Sequence, residues 1–249
     1  MFRVTSSDPR IFRDSMDIIS QLIDDGLFKL KKEGIELIAA DRAMVSVVDF
    51  KIKNTAFEKY ECDKDGIIGL NLLNFLTVLK RIGPEDKMIL ELNEKENKLE
   101  VIIEGLSRRK FSIPLLEISR EEIPPIAQLQ FQASAEIRAD VIEQGINDAD
   151  IFADSVIIQL GDGFRMVAEG DSSKTELNLE RGNEALLNID YKTVAKSRYP
   201  LDYLKKMIKA SKLSDKAKIF TGTDYPLKLE FIGNDVSMTF ILAPRVSEE

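Results

Sequence analysis

Two spacings of apolar residues alternate along the first half of the chain, and each predicts one kind of element. Ile18 and Leu22 recur at helical spacing, which predicts a helix from Pro9 to about Ile23 with Asp8 as its N-cap. Period-two alternation predicts strands. A second helix is expected at Leu72–Arg81, and strands at Phe2–Ser6, Leu27–Lys32, Ile35–Ala39, Val45–Lys53, Met88–Asn93, Leu99–Glu104 and Lys110–Leu116.

The second half of the chain repeats this plan. Tyr199–Ala210 echoes Leu70–Arg81, and placing Phe75 on Tyr203 gives an offset of 203 − 75 = 128 in a chain of 249 residues. Self-similarity of this length predicts two tandem copies of one domain. A lysine-bearing helix at Tyr199–Ala210 and the final strands complete the second copy, after a helix at Arg138–Ile151 and strands at Leu129–Ala135, Val156–Leu160, Phe164–Ala168 and Thr175–Leu179.

The periodicity is lost between the two copies, around Pro124 and Pro125. Paired prolines are typical of an extended, semi-rigid linker. The predicted fold class is α+β, with helices on one face of antiparallel sheets. We therefore expect a domain at residues 1–116, a linker at 117–129 and a second domain at 130–249.

Composition narrows the chemistry. The chain is 44% hydrophobic and 31% charged, so it can bury a core without disulfides or metal. A single cysteine, Cys62, and no histidine exclude the common zinc and thiol-relay sites. Because no apolar run is long enough to cross a bilayer and residues 1–5 lack a signal-peptide core, we expect a cytoplasmic protein without a membrane partner.

Three clusters invite a catalytic interpretation, and the ordinary one is favoured for each. Asp148, Asp150 and Asp154 offer oxygen ligands for a divalent metal, but their helix-end spacing is typical of caps. Ser172 and Ser173 have no histidine as a base, and the acids beside Cys62 disfavour its thiolate. We expect no catalytic residue, metal or cofactor; an enzyme using the three aspartates stays open as an alternative.

The formal net charge of −8 argues against binding nucleic acid over the whole surface, yet the cations are segregated. Each copy carries them on its predicted helices, where they can meet phosphates without reading bases. A solvated amphipathic face is the commoner origin of such a pattern, and recurrence in both copies favours binding. The residues are Arg10, Arg13, Lys80, Arg81, Lys205, Lys206, Lys209 and Lys212.

Five segments carry a further signal, in the same order over the whole length of the chain: Leu37–Asp49, Phe57–Asp63, Gly69–Leu72, Asp224–Leu229 and Phe240–Arg245. Together they resemble the proliferating cell nuclear antigen (PCNA) family of DNA sliding clamps, most closely its archaeal members. The resemblance implies two clamp domains per subunit and three subunits closing into a ring of pseudo-sixfold symmetry. It also implies a DNA polymerase processivity factor that is not an enzyme. The alternative is one protomer of a heterotrimeric or checkpoint-type clamp.

The resemblance further implies that strand Arg108–Leu115 of one subunit joins Ser173–Glu180 of the next. Ring closure would satisfy both strand edges. We expect Arg81 or Arg109 to pair across this seam with Asp140 or Asp148. The full set of expected interface residues is Arg81, Arg108, Arg109, Lys110, Phe111, Asp140, Asp148, Glu176, Leu177 and Glu180.

By the same resemblance, the ring encircles double-stranded DNA with the eight helix cations inward, a clamp loader opens it, and the protein is nucleoid-associated. DNA polymerase, flap nuclease and ligase are expected to dock through a short peptide motif in a pocket beside the linker. Apolar pocket residues that face solvent, Ile241 among them, would mark a binding patch. The expected pocket residues are Ala40, Met44, Val45, Val47, Ile118, Ile123, Pro226, Ile241, Leu242, Ala243 and Pro244.

Overall fold

The structure, a computed structural model, describes residues 1–119 and 123–245. These residues form two compact units. The first contains residues 1–42, 48–119 and 234–237, and the second contains 43–47, 123–233 and 238–245. The boundary between the main parts of the units falls inside the predicted linker, of which residues 120–122 lie outside the described residues.

The first half of the chain builds two antiparallel arrays of strands. The strands of one follow the order β5-β1-β7-β8-β9, and those of the other β4-β3-β2-β6. The elements are β1 (Phe2–Ser6), α1 (Arg10–Ile19), β2 (Asp25–Lys31), β3 (Gly34–Ala40), β4 (Ser46–Lys53), β5 (Lys59–Cys62), β6 (Gly66–Asn71), α2 (Leu72–Leu79), β7 (Lys87–Asn93), β8 (Lys98–Glu104) and β9 (Arg108–Pro114).

The second half has the same element order, and α4 begins 201 − 72 = 129 residues after α2. Its arrays, β14-β10-β16-β17-β18 and β13-β12-β11-β15, match those of the first half strand for strand. The predicted duplicated α+β fold is confirmed. The elements are β10 (Ala133–Arg138), α3 (Ala139–Asp150), β11 (Ser155–Leu160), β12 (Gly163–Glu169), β13 (Lys174–Glu180), β14 (Leu186–Tyr191), β15 (Ala195–Pro200), α4 (Leu201–Met207), β16 (Lys216–Thr221), β17 (Leu227–Ile232) and β18 (Val236–Leu242).

In each unit the two helices bury their apolar faces in the core and expose their polar faces. In the first unit Phe12 of α1 meets Phe75 of α2 edge to face, with ring centroids 5.9 Å apart. In the second unit Ile146 of α3 and Leu204 of α4 are each 1% exposed. Full burial of such side chains stabilises a fold by about 1.5–3 kcal/mol each. The polar faces of the helices remain available for contacts outside the core.

Several predicted boundaries are wrong. The N-cap of α1 is Pro9, although the Asp8 carboxylate accepts the Arg10 backbone N–H at 3.2 Å. Helix α2 ends at Leu79, and a 3-10 helix over Ile208–Leu213 continues α4. Four strands were not predicted, because each is short and their alternation is weak: β5, β6, β14 and β15.

The beginning of the predicted linker is anchored to the first unit. The Leu116 backbone N–H donates to the Gly69 carbonyl on β6 at 2.9 Å. A Cβ at Gly69 would lie 2.3 Å from the Leu116 carbonyl oxygen, so only glycine permits this approach. The side chain of Ile118 packs on the same glycine. Within the part of the chain that the structure describes, no helix is long and apolar enough to cross a membrane.

Candidate functional site

The cations predicted on the first helix pair lie on its polar face. Arg10 makes two hydrogen bonds to Asp8, at 2.7 and 2.6 Å, while Arg13 lies 3.3 Å from an Asp14 oxygen. Lys80, directly after α2, reaches across to Asp17 of α1 at 2.7 Å. These side chains stay partly or largely exposed, so water and ions can reach them.

The second helix pair has a comparable arrangement. Lys205 of α4 lies 2.6 Å from Asp150 of α3. The Lys206 ammonium lies 5.4 Å from the centre of the Tyr203 ring, a cation–π contact that leaves the charge near solvent. Lys209 and Lys212 are exposed on the same helical segment. Both units thus present lysines on helix faces turned away from their cores.

Helix α3 is acidic, whereas α4 carries Lys205 and Lys206 against one acid. Asp140 accepts two hydrogen bonds from Arg138, and the guanidinium lowers the pKa of the Asp140 carboxyl. Exposed Gln144, Asn147 and Asp148 continue its polar surface. A polyanion therefore finds fewer cations on α3 than on α4.

Two of the three aspartates considered for a metal site have other partners. Asp150 pairs with Lys205, and Asp154 pairs with Arg245 at 2.7 Å, a hydrogen bond that lowers the pKa of Asp154. Among residues 1–119 and 123–245 no group of three or more acidic or cysteine side chains is arranged to hold a metal ion. The structure gives the enzyme alternative no geometric support.

The two strands expected at the subunit seam, β9 and β13, each lie at the end of their array. Their side chains also share one pattern of exposure, position by position. Phe111 and Leu177 occupy the same half-buried place in that pattern. An edge strand with a free backbone rim is a template for pairing with another strand.

Three of the charged residues expected at this seam, Arg108, Lys110 and Glu176, have partners within the chain. Arg108 binds Glu104 at 3.0 Å, and Lys110 lies 3.5 Å from Glu100. Arg165 binds Glu176 at 2.9 Å. This hydrogen bond, with another from Asn178, lowers the Glu176 pKa to about 2.

The four residues proposed to form charge pairs across the seam differ in whether they already have a charged partner. Arg109 donates to Asp86 at 2.6 Å and to the Arg81 carbonyl at 3.2 Å, so its guanidinium is already engaged. Within the described part of the chain, neither Arg81 nor Asp148 forms an ion pair. Of the four residues proposed for these pairs, Arg81 and Asp148 are the ones without a competing charge.

Most of the expected peptide pocket lies in the second unit. The Ala243 backbone N–H donates to the Val45 carbonyl at 2.9 Å, and Arg245 N–H donates to the Arg198 carbonyl at 2.7 Å. Met44 has φ 56° and is 49% exposed, whereas Ile241 is 9% exposed. The apolar surface here therefore comes from Met44 more than from Ile241. Val45, Ile123, Pro226, Ala243 and Pro244 are half-buried, and Val47 and Leu242 are buried.

Two predicted pocket residues belong to the first unit. Ala40, at the end of β3, is 8% exposed. Ile118 is half-buried against Gly69. Neither residue presents a large apolar surface within its own unit.

An aromatic cluster that was not predicted from the sequence lies beside Pro226. The rings of Phe131 and Tyr225 stand edge to face at 5.8 Å, and Phe131 also meets Phe220 at 5.8 Å. The Gln130 backbone N–H donates to the Tyr225 hydroxyl at 3.2 Å, which ties the end of the linker to the 222–226 loop. An aromatic residue directly after the linker, at Phe131, was the available signal.

The buried Tyr199 side chain anchors the loop that carries Pro226. This buried hydroxyl donates to the Tyr225 carbonyl at 2.7 Å and also contacts the Thr221 hydroxyl. Burial raises the Tyr199 pKa, so the group stays protonated and remains a donor. The 222–226 loop is therefore anchored to a buried side chain of the second unit.

Two matching copies of a sheet-and-helix domain, with cations on the helices and unpaired edge strands, define a two-domain clamp-fold protein. Family models for the proliferating cell nuclear antigen N-terminal and C-terminal domains match residues 1–122 and 125–246. The chain belongs to the PCNA family, and the resemblance drawn from its sequence is confirmed.

The relatives agree with this assignment over their full length. The chain is 33% identical to the DNA polymerase sliding clamp of Thermococcus gammatolerans and 32% identical to that of Pyrococcus furiosus, covering 99% of each chain in both comparisons. Among solved structures, PCNA from Thermococcus kodakaraensis matches with a TM-score of 0.87 at 29% identity, over 98% of this chain and 100% of that one. A PCNA2–PCNA3 complex from Sulfolobus tokodaii matches with a TM-score of 0.88 at 27% identity, over 98% and 99%.

Proposed function

We propose that this protein is a DNA polymerase sliding clamp, a non-catalytic ring that encircles duplex DNA and tethers replication proteins to it. The observation that carries the proposal is the strand-for-strand duplication, because it repeats a helix pair that presents arginine or lysine side chains to solvent in each half. The full-length similarity to DNA polymerase sliding clamps supports it.

The ring is a homotrimer in which β9 of one protomer pairs with β13 of the next. Both are edge strands with the same exposure pattern, and Phe111 and Leu177 provide apolar side chains for the seam. Three two-domain protomers give the ring six domains and pseudo-sixfold symmetry. A closed ring of this kind leaves neither strand with a free edge.

The helix cations contact the DNA backbone without reading its sequence. Lysine and arginine contacts to phosphate are sequence-independent and weaken steeply with salt. Enclosure retains the clamp on DNA, so weak contact is sufficient and permits sliding. DNA as the partner places the protein in the cytoplasm, with the nucleoid.

Partner proteins, namely polymerase, flap nuclease and ligase, dock through a short peptide with two aromatic residues and an aliphatic one. We place its site at Met44, the 222–226 loop and the segment at Ala243 and Pro244, and we include Phe131 because its ring contacts Tyr225 of that loop. Half-buried apolar residues on a preformed loop suit such a peptide. A clamp loader driven by ATP places the ring on DNA.

The test is retention on DNA of different topology. The clamp is loaded on nicked circular plasmid by an archaeal clamp loader, separated by gel filtration, and then treated with an enzyme that cuts the circle once. A sliding clamp stays with the circle and leaves after the cut, unless the ends are blocked. Equal retention before and after cutting would show ordinary binding instead of encirclement.

The second candidate, one protomer of a heterotrimer, is left open by the charges at the seam. Arg108, Lys110 and Glu176 are each paired within the chain, so opposite charge across the seam does not by itself select a second copy. A chain of this kind would be monomeric alone and would assemble only with different subunits.

A further inference from the structure

Each unit contains a salt bridge between its two helices, and in both the lysine is one expected to meet DNA. In the first unit Lys80 beside α2 lies 2.7 Å from Asp17 of α1. In the second, Lys205 of α4 lies 2.6 Å from Asp150 of α3. In both bridges the aspartate belongs to the first helix of the pair, and the lysine lies in the second helix or directly after it.

The bridges lie at the surface. The side chains of Lys80 and Asp17 are 57% and 40% exposed, and those of Lys205 and Asp150 are 45% and 36% exposed. Ion pairs with this much solvent contribute little to stability. Holding the helices together is therefore a weak explanation for either bridge, and a phosphate can approach both lysines.

A lysine that already has a carboxylate at contact distance binds phosphate less favourably. The phosphate must displace the carboxylate, or else sit beside a second negative charge. Binding also releases fewer counterions from DNA when the lysine brings its own anion. Both effects lower the affinity of the helix surface for DNA and its dependence on salt.

We propose that Asp17 and Asp150 attenuate DNA contact by holding Lys80 and Lys205 in ion pairs that phosphates must compete with. This inference rests on the proposed function and specifies how the inner surface is tuned. The aspartates keep the surface positive enough to favour a duplex inside the ring, yet too weakly binding to stop it from sliding. They are positioning residues for the lysines and contact no substrate themselves.

The test measures binding of the full chain to a short fluorescein-labelled duplex by anisotropy, at a series of salt concentrations. The variants are Asp17→Asn, Asp150→Asn and the double substitution. Glu58→Gln is the matched control, because Glu58 pairs with Lys87 at 3.0 Å with similar exposure but lies outside the helices. It changes the net charge by the same amount as either single variant.

The double variant is expected to bind roughly fivefold tighter at low salt, and its slope of log K against log salt should steepen by up to about 0.9 for each freed lysine that takes a phosphate. Glu58→Gln should stay close to wild type. Unchanged melting temperatures and solution mass would show that assembly is unaffected. Equal effects of the aspartate variants and Glu58→Gln would overturn the inference, since net charge alone would then explain them.

Two further variants separate this inference from the proposed function. Lys80→Gln and Lys205→Gln should weaken binding if these lysines contact DNA. If they do so while the aspartate variants have no effect, attenuation is wrong and the clamp function stands. If wild type shows no salt-dependent binding and neither the aspartate nor the lysine variants change it, the attenuation inference fails, whereas the clamp function fails only if retention on the plasmid is equal before and after cutting.

Discussion

The backbone N–H of Ala243 donates to the carbonyl of Val45 over 2.9 Å, joining the C-terminal segment to the residues after β3 within the second unit. Both residues are among those expected to bind partner peptides. The bond sets the position of Ala243 and Pro244 relative to Met44.

Replacing Ala243 with proline removes this donor. Loss of one such hydrogen bond costs about 0.5–1.5 kcal/mol, so we expect several-fold weaker binding of a fluorescent peptide that carries two aromatic residues and an aliphatic one. Ala243→Ser keeps the N–H and serves as the control. Equal peptide affinities for the two variants would show that the tie does not shape the site.

We expect substitutions in the two seam strands, β9 and β13, to weaken assembly of the ring. Truncating Phe111 and Leu177 together to alanine removes the apolar pair proposed between β9 and β13, which should weaken each seam by about 1–3 kcal/mol. The variant should dissociate at a protein concentration at least tenfold higher than wild type, measured by light scattering on dilution. Leu106→Ala is the control, because Leu106 is fully exposed at the hairpin tip.

We expect substitution of lysines on α4 and on the 3-10 helix that continues it to change how DNA affinity depends on salt. Lys206→Ala with Lys209→Ala should lower duplex affinity and reduce the slope of log K against log salt by about 0.9 for each phosphate that the variant no longer neutralises. Lys98→Ala, on β8 and paired with Glu96, is the control. An unchanged slope would remove these two lysines from the DNA-contacting surface.

We expect the stability of the protein to depend on pH through the protonation of Glu176. Its folded pKa of about 2 lies below the ordinary 4.5, because Arg165 and Asn178 donate to the carboxylate. The stabilisation from this carboxylate is therefore complete above about pH 4.5 and is lost as pH falls towards 2. Side-chain NMR should show the group titrating near pH 2, and Arg165→Gln should move it up towards 4.5. Titration near 4.5 in wild type would contradict the pairing.

We expect removal of the Tyr199 hydroxyl to lower the stability of the protein. Tyr199→Phe leaves the Tyr225 carbonyl and the Thr221 hydroxyl without this buried partner, which should cost about 1–2 kcal/mol. A melting temperature lower by about 2–4 °C per kcal/mol is expected. Tyr225→Phe, whose hydroxyl bonds at an exposed position, should change it less. Similar melting temperatures for Tyr199→Phe and wild type would be the contrary result.

The duplication was predictable because both copies show the same local spacing of apolar residues. Helical spacing recurs at Phe75 and Tyr203, and alternation recurs in the strands that follow. The family was also recognisable from its ordered segments. Strands such as β5 and β14 were not, because they are short and depend on neighbours distant in sequence: β5 pairs with β1 and β14 with β10.

The site was only partly predictable, since charge is visible in sequence and pairing is not. The lysines on α4 could be named from the letters alone, whereas the partner of Lys205 lies on another helix at Asp150. Phe131 was missed because its role depends on the ring of Tyr225, which is far along the chain. Contacts between distant residues are set by the fold.

The solution mass of the purified chain, measured by light scattering at moderate salt, tests the self-closing ring most directly. A homotrimeric ring would have a mass of three times 28.1 kDa without any other subunit present. A mass of 28.1 kDa would contradict the homotrimer and favour a protomer that closes its ring only with different subunits.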